Sequence, residues 1–168
     1  MNKKKMIIIT SIVAIVFFEC ICILFLLAGQ EKTHEYYCDE FLLTADEKQI
    51  DLSEVMPDML SVSEILPITD DHLYIMGRVD ESTNAMIIYD FKKQEIVFAQ
   101  KGTTMCWVQD DYNSMRYLKD NPVYDLEENV IYEAEAAHTI QMIEYVDTDF
   151  CVTVADLEKQ TIEQVWVE

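Results

Sequence analysis

The chain has 168 residues, 51% of them hydrophobic, with 12 Lys and Arg against 32 Asp and Glu, a formal net charge of −20. That balance excludes nucleic-acid binding, which needs a basic footprint, and electrostatic docking onto an anionic membrane face. Three glycines are too few to write either a dinucleotide fingerprint or a phosphate-cradling loop.

In chain order, Lys3, Lys4 and Lys5 precede Met6–Ala28, an apolar run with no Gly, no Pro and a single charge, Glu19. At about 1.5 Å per residue a helix of that length crosses the hydrocarbon core, and the lysines set the N-terminus in the cytoplasm. The run is too long for a signal-peptide core. The best cut, after Ala28, has Leu26 where a small residue is wanted, and Leu26-Leu27-Ala28-Gly29 is followed by Gln30 rather than a lipidated Cys. The expected plan is a cytoplasmic tail (1–5), a transmembrane anchor (6–28), a stalk (29–37) and an extracytoplasmic β domain (38–168). The protein is thus expected to be single-pass in a cytoplasmic or inner membrane, its domain in the periplasm or at the cell surface.

A carboxylate at mid-bilayer is costly and usually meets a partner or a polar cavity. Ser11, Ile15, Glu19 and Cys22 fall at spacings that place them on one helical face. Small and polar residues on one stripe are how membrane helices associate. The face is read as a partner-helix contact, the other reading being a tolerated Glu kept neutral by the apolar medium.

Beyond the anchor, 9 Lys and Arg stand against 31 Asp and Glu, near −22. Recurrent Val, Ile, Leu, Tyr and Phe from Leu73 to Val167 argue against disorder. Asp51–Leu66 carries a helical pattern that Pro67 should stop. Leu73–Val79, Met86–Tyr89, Glu95–Ala99, Met105–Val108, Ile140–Val146, Cys151–Ala155 and Ile162–Val167 alternate as short strands. Tyr132–His138 reads equally as a short helix or a loop. The gaps are too short for crossover helices, so antiparallel hairpins are expected. Of Cys38, Cys106 and Cys151, two are able to pair in an oxidising compartment and one is left over.

A repeat runs through the strands. Ala45-Asp46-Glu47-Lys48-Gln49-Ile50, Tyr89-Asp90-Phe91-Lys92-Lys93-Gln94, Tyr124-Asp125-Leu126-Glu127-Glu128-Asn129 and Ala155-Asp156-Leu157-Glu158-Lys159-Gln160 each read apolar strand, Asp, charged turn, apolar strand. An Asp bonding turn amides explains the pattern without a function. These hairpins resemble the Tyr-Asp hairpins of β-propeller blades. The drifting spacing, the lack of glycine and the short chain count against a closed ring. The fold class expected is mainly β: a curved antiparallel sheet, barrel- or sandwich-like, with one or two short helices.

Chemistry is sparse. The three histidines, His34, His72 and His138, stand in stalk and loop contexts. Asp70-Asp71-His72, Asp110-Asp111 and Asp147-Thr148-Asp149 read as surface turns rather than cation sites. Glu135-x-x-His138 has metal-pair spacing but not the second pair and four helices such a centre needs. No catalytic residue, metal or cofactor is expected, and the chain is read as no enzyme. Its layout is similar to that of the small periplasmic partners of membrane-bound transcription activators, the ToxS-, VtrC- and PsaF/MyfF-like proteins. That resemblance implies an accessory or co-sensing subunit that binds and stabilises a partner membrane protein and takes, in some members, a small apolar ligand. A self-sufficient binding module for a cation, glycan or peptide, and an envelope inhibitor or immunity protein, are the alternatives.

Overall fold

The computed structural model describes residues 33–167. The expected anchor and its face of Ser11, Ile15, Glu19 and Cys22 lie outside the described residues. Among the described residues no helix is long and apolar enough to cross a membrane.

In the described residues fourteen strands form four separate antiparallel sheets, each a continuous stretch of chain. The first holds β1 (Tyr36–Asp39), β2 (Leu42–Ala45) and β3 (Lys48–Asp51). The second holds β4 (Ser61–Thr69), β5 (His72–Arg78), β6 (Asn84–Asp90) and β7 (Glu95–Lys101). The third holds β8 (Thr103–Val108), β9 (Asp111–Lys119), β10 (Pro122–Asp125) and β11 (Val130–Glu133). The fourth holds β12 (His138–Val146), β13 (Asp149–Asp156) and β14 (Thr161–Val167). The mainly β, antiparallel expectation holds, but the strands are divided among four small layered sheets rather than gathered in one.

The layering follows from alternation. In β5, Leu73 and Ile75 face one way and Tyr74 and Met76 the other, and both faces are apolar. Leu43 and Ala45 of the first sheet pack with Leu73, Ile75, Ile87 and Tyr89 of the second. Ile68, Tyr74, Met86 and Ile88, from the other face of the second sheet, pack with Met115 of the third. Val123 of the third then packs with Ile140, Ile143, Val152 and Val154 of the fourth. Burial pushes the Tyr74 phenol up to about 12. The chain passes from β7 to β8 through Gly102 alone, whose φ of +71° lets it turn from one sheet into the next.

One expectation is corrected, and one open reading is decided. Asp51–Leu66 is not a helix: only Leu52–Val55 (α1) is helical, and Ser61–Thr69 is a strand. Asp51 caps α1 as the pattern suggests, its side chain accepting the Ser53 N–H at 2.9 Å. Met56 then leaves helical backbone because Pro57 crowds the residue before it. Pro67 is tolerated because β4 is an edge strand, where a missing N–H breaks no ladder. Tyr132–His138 is no helix either, being the end of β11 followed by a connection into β12.

Candidate functional site

The four repeat aspartates close corresponding hairpins in the four sheets. Asp90 ends β6 and accepts the Lys93 N–H at 2.9 Å; Asp156 ends β13 and accepts the Glu158 and Lys159 N–H groups at 3.0 and 2.9 Å. Asp125 accepts those of Glu127 and Asn129, both at 2.9 Å. Both four-residue loops, Phe91–Gln94 and Leu157–Gln160, finish on a Gln at φ 56°. In the first sheet the loop is shorter and Asp46 itself takes the positive φ.

The histidines are not idle in loops, as their sequence contexts suggest; each is drawn to a repeat aspartate. His72 and His138 lie directly across the ladder from Asp90 and Asp156, each with its Nε2 3.6 Å from the carboxylate. His34 Nδ1 is 2.7 Å from Asp46. In the third sheet Arg116 takes the same cross-strand place opposite Asp125. His34 also stacks on Phe91 of the second sheet at 3.9 Å, and His72 on Tyr112 of the third at 3.7 Å. Each of these two rings therefore ties its hairpin to the next layer. The missed signal is a regular one: His72 and His138 each precede their aspartate by one strand, a hairpin turn and the next strand.

Electrostatics fit a structural role. Lys159, by its ammonium and its N–H, holds the Asp156 carboxyl down to about 2. Burial pushes Asp90 up, but the Lys93 amide and ammonium outweigh it and its pKa falls. Burial lowers the His72 imidazole more than Asp90 and Asp71 raise it. The other nitrogen of His72, Nδ1, lies 3.0 Å from the Thr69 hydroxyl, and among the described residues no group of His, Cys, Asp and Glu is arranged to hold a metal ion. Asp70-Asp71, Gln109-Asp110 and Asp147-Thr148 are two-residue hairpin turns. Glu135 meets His138 only by backbone, its carbonyl accepting the His138 N–H at 3.0 Å. Cys38, Cys106 and Cys151 are free thiols, and burial carries Cys106 up to about 12.

On the fourth sheet the face turned away from Val152 and Val154 carries Met142, Glu144 and Val146 of β12, Asp149, Cys151, Thr153 and Ala155 of β13, and Ile162, Gln164 and Trp166 of β14. Met142, Val146, Ile162 and Trp166 are exposed, by 44, 43, 71 and 54%, which gathers four of the ten exposed large apolar side chains of the described residues onto one face. At its centre the Thr153 hydroxyl is shielded from water and has no hydrogen-bond partner. An exposed apolar cluster of this kind is a candidate interaction surface.

Comparison with known proteins returns no matching family model, no matching curated protein and no matching solved structure.

Proposed function

We propose that this chain is a membrane-anchored accessory subunit whose extracytoplasmic β domain binds a partner membrane protein through the outer face of its last sheet. The observation that carries the reading is the concentration of Trp166, Ile162, Met142 and Val146 on that face. Every other large apolar cluster of the described residues lies between two consecutive sheets, so this face offers the next layer a place of the same kind. A second copy is a poor occupant, because two chains of charge −20 repel. A tryptophan beside an aliphatic cluster is the usual make-up of an interface anchor. The face of Ser11, Ile15, Glu19 and Cys22 would supply a second contact within the membrane.

The test is site-specific. A photo-crosslinking residue at Ile162 in the full chain, expressed in its own membrane, should trap one membrane protein as a discrete adduct. Trp166→Glu should weaken that adduct and lower the partner's steady-state level. An unaltered adduct and partner level in Trp166→Glu would remove the outer face from the interaction.

A further inference from the structure

We propose that the free edge of β4 is a strand-addition site for an extended, basic peptide segment of a partner protein. β4 pairs only with β5, so along its other side the backbone groups of every second residue point away from the sheet. Among the described residues, only Ile68 of this strand takes a backbone hydrogen bond from outside its own sheet, from the Asp110 N–H at 3.1 Å. The stretch Ser61–Leu66 is left open.

A groove of about 560 Å³ runs beside that stretch, between β4 and the β1–β2 turn. Phe41, Val62 and Ile65 form an apolar wall that backs onto the first core cluster. The charged side chains along it are Glu40 and Glu64, both exposed, with no Lys or Arg among the lining residues. Past Leu60 the groove continues into a smaller hollow of about 200 Å³ bearing Asp80, Glu81 and Arg78. Arg78 is turned to the Glu81 carbonyl, at 3.3 Å. The length of open edge suits about five or six residues of extended chain.

An added strand would take ladder hydrogen bonds from the β4 backbone; one set of its alternate side chains would meet Phe41, Val62 and Ile65 with Glu40 beside them, and the other set would meet Glu64 on the opposite face. Aliphatic residues alternating with Lys or Arg match both. A second copy of this acidic chain does not. The bulge between Val62 and Glu64 falls within the open stretch and the one between Pro67 and Thr69 lies past its far end, and such devices keep an edge from pairing indiscriminately. This site stands apart from the outer face of the fourth sheet and does not depend on it.

The experiment is fluorescence anisotropy with the full chain in nonionic detergent and a labelled six-residue peptide of alternating Lys and Val. Saturable binding is expected, weakened about tenfold or more by Glu40→Lys with Glu64→Lys, since reversing two contacts of roughly 0.7 kcal/mol each amounts to that factor. Glu133→Lys with Glu158→Lys changes the net charge equally at exposed positions on other sheets, and should leave binding within about twofold. The same peptide methylated on alternate backbone nitrogens, which cannot complete a ladder, should bind at least about tenfold more weakly. Trp166→Ser should change nothing. Absence of saturable binding, equal losses in the two charge-reversed pairs, or undiminished binding of the methylated peptide would each overturn the proposal.

Discussion

Gly77→Ala is expected to destabilise the β domain through a single backbone contact. Gly77 is buried in β5, opposite Val62 of β4, in ordinary extended backbone. A Cβ there would stand 2.8 Å from the Ser61 carbonyl oxygen and 2.9 Å from Met59 Cγ, and nearer still to Met59 Sδ. The methionine chain can swing aside, but the carbonyl belongs to the β4 backbone, so β4 itself must shift by several tenths of an ångström. Overpacking of this kind costs about 1–3 kcal/mol. Ala returns roughly 0.4–1 kcal/mol by stiffening the unfolded chain, which leaves a net loss near 1–2 kcal/mol, or on the order of 4–8 °C in Tm for a domain of this size. Urea unfolding of the full chain in detergent, followed by Trp107 and Trp166 fluorescence, reads the change. Met59→Ala alone should cost about 2–5 kcal/mol, because Met59 is buried. Combined with Gly77→Ala it should cost less than the sum by about 1 kcal/mol, since each change makes room for the other. Wild-type stability in Gly77→Ala, or strict additivity in the pair, would refute the close approach of β4 to β5.

Three further outcomes are expected. Because the His72 pKa is lowered on folding by burial, the unfolded chain takes the proton first. Stability should therefore fall as pH drops below about 6.5, and His72→Gln should flatten that slope in denaturant midpoints taken between pH 7 and 5. The Asp156 carboxyl, held down to about 2 chiefly by Lys159, contributes stability that is complete above about pH 4 and lost as pH falls from there through 2. Asp156→Asn should remove that acid-limb dependence and speed hydrogen exchange at the Glu158 and Lys159 amides. Burial raises all three described thiols, Cys106 to about 12, and Cys151 is also buried, so alkylation at pH 8, mapped by mass spectrometry, should reach Cys38 ahead of Cys106 and Cys151, which should react fully only in denaturant.

Much of this architecture is written locally and is legible in the sequence for that reason. An aspartate that bonds amides two to four residues on leaves its mark in any turn, so the hairpins at Asp90, Asp125 and Asp156 stand out in the bare order of residues, and Asp46, which accepts the Glu35 N–H, repeats the same local pattern. Strands such as Cys151–Ala155 declare themselves by period-two alternation. What stays illegible depends on neighbours distant in sequence. Ser61–Thr69 carries Ser, Glu and Pro because it lies at an edge, and a polar edge strand looks like the end of a helix or a loop. The histidines look ordinary singly, because His72 and His138 have their partners two strands and a turn away and meet them only once the ladder closes. The division of fourteen strands into four layers depends on which strands are apolar on both faces, as β5 is, and short strands conceal that. The exposed apolar face of the fourth sheet is hidden for a related reason: Ile162, Trp166 and Met142 alternate like any core residues, and only their place on an end layer leaves them exposed.

The order of the layers has a consequence for synthesis. Every sheet is complete within one uninterrupted stretch of chain, and each core cluster joins only consecutive sheets. Contacts are therefore local, and a nascent chain emerging from its N-terminal end can close each meander and lay it on the one before without waiting for a distant strand. Among the described residues the first and last sheets each pack against a single neighbour, so in stacked assemblies coupled only between neighbours these end layers are the ones that open first. Pulling the chain from its C-terminus should peel β12–β14 away as one step, with Val123 and its cluster uncovered, while the first two sheets remain closed on each other.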